Sequence, residues 1–269
     1  MIPSSATTAR TDALGTRVLG NHQRTLLAAA SIAGTLLLWG VFSSAGWVDH
    51  VLLPSPLEVL TTLLAAVSDG SLLRHVTVSL LRVLEGFALA LAAAVPLGIA
   101  MGVSPVMRGM VEPLIELLRP IPPIALIPLA ILWFGIDELS KVLIIAYGAF
   151  FPILLNTMAG FREVDPVHVR AAQALGARRH HVFRDVVLRS AFPFIVVGAR
   201  VGMGMAFIVL VAAELIASSA GLGFLITDAR YSFRTDQMFL GMAMIGILGL
   251  VLNKALLEAE RRLLKWKTA

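Results

Sequence analysis

Six long apolar stretches separate the polar parts of this chain and limit what it can fold into. They run over residues 25–45, 78–102, 111–134, 140–160, 192–216 and 238–257. A helix needs about 20 apolar residues to cross the hydrocarbon core of a bilayer. With 58% hydrophobic and 14% charged residues, a single water-soluble domain could not bury so much apolar surface. We therefore expect an all-α membrane protein with six transmembrane helices.

The third stretch is interrupted by prolines at Pro120, Pro122, Pro123 and Pro128. Each proline removes a backbone donor, so the carbonyl groups that it frees need partners inside the protein or in a water-filled cavity. We therefore expect this segment to line the interior or a subunit contact. A simple kinked span is an equally good interpretation of the same pattern.

The first 24 residues are polar and contain three arginines, and we expect residues 1–24 to form a mobile cytoplasmic tail. The apolar stretch that follows is longer than a usual signal-peptide core, so we interpret it as a retained span. A cleavable signal peptide is the alternative. The remainder, residues 25–269, is expected to form a single transmembrane domain.

Basic residues are unevenly distributed between the polar connections. If the N-terminus lies inside and the spans alternate, the inside segments carry fourteen Lys and Arg residues and the outside segments carry four. This excess is typical of cytoplasmic segments and predicts both termini in the cytoplasm. It also explains the net charge of +5 without a nucleic-acid partner. The absence of cysteine excludes a disulfide framework and any thiolate metal site.

The polar connection over residues 161–191 contains signals for two helices. Asp165 suits an N-cap, and Gly176 can take the left-handed conformation that ends a helix. A second amphipathic helix is expected to follow, until Pro193 introduces the fifth span. The first helix carries small side chains around Leu175, so it can either dock against another protein or pack on its own bundle.

This connection resembles the signature loop of ABC importer permeases. The consensus of that loop is Glu-Ala-Ala, three residues, Gly, nine residues, Ile, any residue, Leu and Pro. Ala171 and Ala172 match the paired alanines, and Gly176 matches the glycine. Arg170 and Arg189 stand where the consensus has glutamate and proline, which removes any ion pair that the glutamate would make with an ATPase.

Longer segments resemble the permease subgroup that imports aliphatic sulfonates, taurine and nitrate. They are LLPSP (52–56), LLRPIPPIALIPLAILWFGI (117–136), AFFPILLNT (149–157) and ERRLLKW (260–266). The resemblance implies a type I ABC importer permease fold in the bacterial cytoplasmic (inner) membrane. It implies transport of small anions such as aliphatic sulfonates, with nitrate, taurine or another small solute as alternatives.

The resemblance also implies partners. These are a cytoplasmic ATP-binding subunit, a periplasmic or extracellular substrate-binding protein, a second permease copy that is expected to be identical, and membrane lipid. ATP and Mg would be bound by the partner ATPase, because this chain has no Gly-x-x-x-x-Gly-Lys-Ser/Thr phosphate-binding loop. We therefore expect neither enzymatic activity nor a cofactor in this chain.

Two groups of candidate site residues follow. By the resemblance, the coupling helix that docks against the ATPase comprises Arg170, Ala171, Ala172, Leu175, Gly176 and Ala177. Charged residues inside spans are functional candidates, and the candidates for the translocation path are Arg200, Glu214, Pro122 and Pro123. Arg82 and Glu85 lie three residues apart in the second stretch, and their spacing predicts an ion pair within one helix.

A stand-alone secondary transporter is the competing function. It would explain the apolar stretches and the charge bias equally well. It predicts paired internal repeats or intramembrane acids for ion coupling, whereas we find no such repeat, and Glu214 lies near the outer end of its stretch. It also gives no purpose to the predicted pair of helices over residues 161–191.

Overall fold

The computed structural model describes residues 21–45, 49 and 51–264, and most of these residues are helical. The chain divides into two compact units, Met1–Pro56 and Leu57–Ala269.

The first unit contains helix α1, Asn21–Ser44. Trp39 Nε1 donates to the Pro54 carbonyl over 3.0 Å, and Ser43 Oγ donates to the Leu53 carbonyl over 3.0 Å. The chain after α1 therefore folds back against the last turns of this helix. Residues 1–20 of the predicted tail lie outside the described residues, so the tail stays a prediction.

The rest of the chain is a succession of helices that begins at the boundary between the units. They are α2 (Pro56–Ser68), α3 (Ser71–Val103), α4 (Pro105–Leu118), a 3-10 helix (Pro123–Leu126), α5 (Ile127–Phe134), α6 (Glu138–Arg162), α7 (Pro166–Ala174), α8 (Arg179–His181), a π-helix (Val182–Val187), α9 (Leu188–Ala217), α10 (Leu222–Tyr231) and α11 (Thr235–Leu263).

Four segments of the described chain are long and apolar enough to cross a membrane. They contain α3, α6, α9 and α11 respectively. The segments Pro105–Leu118 and Pro123–Phe134 qualify together as a fifth span with a bend of 83°, which confirms that the prolines interrupt the third stretch. Within the described part of α1, the apolar segment Ala30–Ser44 is shorter than a full span, so the predicted total of six stays a prediction.

Helices α3 and α6 run parallel to each other. A Cβ added at Gly86 would lie 2.7 Å from Ile145 Cβ, and one added at Gly98 would lie 2.7 Å from Thr157 Cβ. The residue numbers on the two helices rise together, so both helices cross the bundle in the same direction. The intervening residues 104–137 must therefore return the chain to the other end. This requirement identifies α4, the 3-10 helix and α5 as one broken crossing.

Helices α6 and α9 run antiparallel, and together with α3 they form the core of the second unit. A Cβ added at Gly198 would lie 2.7 Å from Asn156 Cβ, and one at Gly148 would lie 2.7 Å from Val209 Cγ2. Most of the buried hydrophobic side chains of the main core belong to these three helices. Glycines at the crossings let the backbones approach closely, as is usual in membrane bundles.

The turn before α3 is closed by local hydrogen bonds. Gly70 has φ of +75°, a conformation that glycine adopts at little cost. Asp69 Oδ1 accepts a hydrogen bond from the Ser71 amide over 2.8 Å. The side-chain and backbone hydrogen bonds from Ser71 hold the pKa of Asp69 below its ordinary value. These contacts fix the point at which α3 begins.

Pro193 does not separate two helices, contrary to the prediction. It lies buried inside α9, and the helical segment that contains α9 is continuous from Arg179. The six residues before α9 form a π-helix. Widened helical turns are one way in which membrane helices accommodate a proline. The predicted second amphipathic helix is therefore the beginning of the long α9 segment.

Candidate functional site

Helix α7 begins and ends as the sequence predicts. Asp165 Oδ1 accepts a hydrogen bond from the Val167 amide over 2.8 Å, which caps the N-terminus. At the other end Gly176 has φ of +79°, and the Ala177 amide donates to the Ala172 carbonyl over 3.1 Å. This 6→1 hydrogen bond and the left-handed glycine form a Schellman motif.

The surface of α7 is open. No residue of α7, all of which the structure describes, is buried. Leu175, directly after the helix, is 89% exposed, and a Cβ added at Gly176 would meet no described atom within 4 Å. Of the predicted coupling-helix residues, Arg170, Ala171, Leu175 and Gly176 are exposed, whereas Ala172 and Ala177 are half-buried.

Helix α7 is attached to the bundle through the π-helix. It packs against Val182–Val187, which continues directly into α9. The ring of Phe183 in this π-helix stacks on Phe161 at the end of α6, with 6.1 Å between the ring centres. Helix α7 is therefore connected through the π-helix to two helices of the core, α6 and α9.

A cluster of charged side chains, three of them buried and Glu138 exposed, lies at the opposite end of the core. Arg82 of α3 is 2% exposed. It donates to Glu214 Oε1 of α9 over 2.8 Å and to Glu138 Oε1 of α6 over 2.6 Å. Lys141, 4% exposed, lies 3.6 Å from the same Glu138 carboxylate. We call these four residues the ionic cluster; it joins all three core helices.

The ionic cluster also holds the connection between α9 and α10. Glu214 Oε2 accepts from the Gly223 amide over 2.9 Å, and Ser79 Oγ accepts from the Leu222 amide over 2.9 Å. His75 Nδ1 accepts from the Gly221 amide over 3.1 Å. The first amides of α10 therefore find their acceptors on α3 and α9, which fixes the position of this short helix.

The predicted pairing of Arg82 with Glu85 is wrong. Glu85 is exposed, whereas Arg82 points into the core and pairs with Glu138 and Glu214. The two partners lie 56 and 132 positions away in the sequence, where spacing on one helix gives no signal. The usable signal was that a charge inside a span tends to pair with an opposite charge in another span.

The four candidates for the translocation path do not form one site. Arg200 makes an ion pair with Glu260 over 3.0 Å, and it borders a cavity of about 360 Å³ between α9 and α11. Glu214 belongs to the ionic cluster at the other end of α9. Pro122 and Pro123 lie at the break between α4 and α5, and Pro123 borders a separate cavity.

This separate cavity, which we call the break cavity, has a volume of about 330 Å³. The lining residues come from the proline-rich break, α6 and α9: Arg119, Ile121, Pro123, Tyr147, Gly148, Phe151, Pro152, Leu155, Val201 and Met205. In the described part of the chain, no group of three or more His, Cys, Asp or Glu side chains could hold a metal ion.

The break is fixed to α6 by one carbonyl group. Pro122 has no amide hydrogen for the Leu118 carbonyl four residues earlier. That carbonyl instead accepts from the Ile121 amide over 3.0 Å and from Tyr147 Oη over 2.7 Å. The prediction that a freed carbonyl finds a partner inside the protein is therefore confirmed at this position.

Comparison with known proteins gives a consistent result over most of the chain. Residues 94–259 match the family described as binding-protein-dependent transport system inner membrane component. The chain is 40% identical over 245 residues to the taurine transport system permease protein TauC of Escherichia coli (strain K12), and the match covers 89% of both chains.

Two further relatives have similar coverage. The putative aliphatic sulfonates transport permease protein SsuC of Bacillus subtilis (strain 168) is 37% identical, over 91% of this chain and 87% of the relative. The bicarbonate transport system permease protein CmpB of Synechococcus elongatus is 31% identical, over 89% of this chain and 90% of the relative.

Proposed function

The chain belongs to the binding-protein-dependent transport system inner membrane components, and from this premise we propose that it is the permease through which an ATP-driven importer moves small anions into the cytoplasm. The observation that carries the proposal is the match along about nine-tenths of the chain to permeases named for taurine and aliphatic sulfonates. The family is a membrane permease component and not an enzyme, and it is located in the inner membrane.

The proposed architecture is a type I importer permease with six spans and both termini in the cytoplasm. The parallel arrangement of α3 and α6 supports it, because the broken span must cross between them. The basic residues support the orientation, with fourteen on the proposed inner side and four on the outer side. In this orientation α1 is the first span, residues 1–24, of which 21–24 already belong to α1, lie on the cytoplasmic side as a tail, and residues 25–269 form one domain.

The proposed motor is a separate cytoplasmic subunit that binds ATP and Mg. The helix α7 and the turn after it, over Arg170–Ala177, would dock in a cleft of that subunit. The exposure of Leu175 and the small neighbouring side chains support this, because an apolar helix surface can enter a groove on a partner. Arg170 replaces the consensus glutamate, so this contact depends on shape and apolar burial more than on an ion pair.

Closure of the ATPase would switch the bundle between outward and inward access through α7. The proposed coupling needs two arrangements of the bundle, with nucleotide favouring one and the loaded binding protein favouring the other. The binding protein would contact the outer ends around α2 and α10. A second, identical permease copy and the surrounding lipid complete the proposed assembly.

The proposed substrates are small organic or inorganic anions, with aliphatic sulfonates first. The relatives named for taurine and for sulfonates support an organic sulfonate, and the relative named for bicarbonate supports a small anion more generally. Nitrate and other small solutes are the alternatives within this family.

Uptake into proteoliposomes tests the proposed function. The chain is reconstituted with the ATPase and the binding protein encoded beside it, and radiolabelled taurine is supplied outside with ATP inside. We expect accumulation that stops when ATP is omitted or when the ATPase is left out. Accumulation driven by an ion gradient in the absence of the ATPase would instead establish a secondary transporter.

A further inference from the structure

The break cavity lies at mid-height of the helix bundle and is open on the side where Arg119 and Val201 are exposed. Tyr147 is nine residues after the start of α6, which is about 14 Å along the helix axis. Phe151 and Leu155 follow on the same helix, and Val201 and Met205 line the cavity from the middle of α9. A solute that occupies this cavity would therefore be about halfway across the membrane.

Among the described residues that line this cavity, Arg119 is the one with a charged side chain. Its side chain is exposed, and within the described ranges its guanidinium makes neither an ion pair nor a hydrogen bond. Arg82 and Arg200, by contrast, are paired with carboxylates. An unpaired cation at this depth costs several kcal/mol in hydrocarbon, so it must face water or an anion.

The lining is mostly apolar and contains two polar side chains. Arg119 supplies a guanidinium and Tyr147 supplies a hydroxyl, whereas Phe151, Leu155 and Met205 supply apolar surface. The volume of about 330 Å³ is at the lower end of the range for small-molecule sites. This lining and size suit a compact solute with a charged head and a short apolar body.

We propose that the break cavity is the site at which the transported anion pauses within the membrane, with its charged head at Arg119 and its aliphatic part against Phe151, Leu155 and Met205. The inference rests on the proposed function and adds the substrate chemistry and the residues that select it. One exposed cation gives weak binding, which a transport site requires, because a solute held by several buried cations would be released too slowly.

Charge-selective thiol labelling tests this site directly. The chain contains no cysteine, so Val201→Cys provides the permease with one thiol in the cavity. The probes are anionic 2-sulfonatoethyl methanethiosulfonate, itself a short alkyl sulfonate, and its cationic trimethylammonium analogue. The protein is the purified complex with its ATPase. We expect Arg119→Ala to lower the ratio of anionic to cationic labelling rates about tenfold, the effect of removing one nearby charge.

Three controls separate a binding role from a structural one. Arg119→Lys should restore most of the preference for the anionic reagent. At the exposed Ser232→Cys position, away from the cavity, Arg119→Ala should leave the ratio unchanged. Millimolar ethanesulfonate should slow the labelling of Val201→Cys, whereas ethylammonium at the same concentration should not.

The site is refuted if the labelling ratio is insensitive to Arg119→Ala, or if neither reagent reaches the Val201→Cys thiol. These outcomes are independent of the proposed function, because labelling requires no transport. If taurine uptake depends on ATP but the labelling ratio does not depend on Arg119, the proposed anion site is overturned and the proposed importer function stands. Charge-selective labelling without ATP-driven uptake would overturn the proposed importer and leave an anion site in the cavity.

Discussion

Arg82 and Glu214 are charged groups in the least solvated part of the molecule, each 2% exposed. Removing a charge from water costs several kcal/mol, and only good geometry with further hydrogen bonds compensates this cost. Here the Arg82 guanidinium and both carboxylate oxygens of Glu214 make hydrogen bonds. Glu214 Oε1 accepts from Arg82 and Ser79, and Oε2 accepts from the Gly223 amide. The ionic cluster therefore joins the core helices but tolerates the loss of one partner poorly.

Glu214→Gln should destabilise the protein by about 3 kcal/mol, because it leaves the buried Arg82 charge with only the partly exposed Glu138 carboxylate. The measurement is the apparent Tm of the purified permease in detergent. Glu85→Gln is the matched control, since Glu85 is exposed on the same helix as Arg82, and it should change stability by less than about 0.5 kcal/mol. Equal Tm values for the two variants would contradict this assignment.

Residue-level predictions from the sequence succeeded where the signal is local. The Asp165 cap and the Gly176 termination depend on neighbours within a few positions, so composition and spacing were sufficient. The partner of Arg82 was missed because the Glu214 carboxylate lies on a helix that only the folded bundle brings near. Arg119 lies within the third apolar stretch of the sequence, but its cavity exists only after α6 and α9 pack beside the break.

At the scale of elements, apolar length predicted the helices well, and proline predicted their breaks unevenly. Pro96, Pro113, Pro152 and Pro193 lie inside helices, because a single lost donor can be accommodated in a packed bundle. The group at positions 120, 122 and 123 removes three donors within about one turn, and there the helix does break. Whether a helix continues or breaks at a proline therefore depends on how many prolines fall within one turn, and a single proline is not sufficient to break it.

A pair of glycines on α9 tests the close packing of the core helices. Gly198→Ala places a Cβ 2.7 Å from Asn156 Cβ, so we expect a loss of about 1–3 kcal/mol from overpacking. Gly204→Ala on the same helix meets no described atom within 4 Å and should leave stability unchanged or slightly higher. Thermal unfolding of both variants in the same detergent gives the comparison. A stable Gly198→Ala protein would mean that α6 and α9 are further apart.

At the scale of the whole molecule, α3, the broken span, α6 and α9 traverse the bundle in alternating directions. This order places α7 at one end of the core and the ionic cluster with α10 at the other. The sequence analysis assumed this alternation, and the distribution of basic residues predicts which end lies in the cytoplasm, which stays a prediction. The sequence could not predict that the π-helix would join α7 to α9 and, through the stacked Phe161 and Phe183 rings, to α6, because the ring contact depends on the path of the π-helix.

Single cysteines should report opposite sides of the membrane for the two ends. We expect a membrane-impermeant maleimide to label Ser232→Cys in intact spheroplasts, because α10 ends on the proposed outer side. Gln173→Cys, on the exposed surface of α7, should be labelled only after the cells are permeabilised. Labelling of both positions in intact cells would contradict the proposed orientation.

The central claim is that a separate ATPase drives this permease through the exposed surface around Leu175, and the most direct test measures docking and transport together. Leu175→Asp places a charge at an apolar contact. We therefore predict that the amount of co-purified ATPase falls about tenfold or more and that ATP-driven uptake falls to the same extent. The apparent Tm of the permease should not change. Tyr231→Asp, at an exposed position on α10, should retain the ATPase. If Leu175→Asp retains the full complement of ATPase and transports at the normal rate, the claim is contradicted.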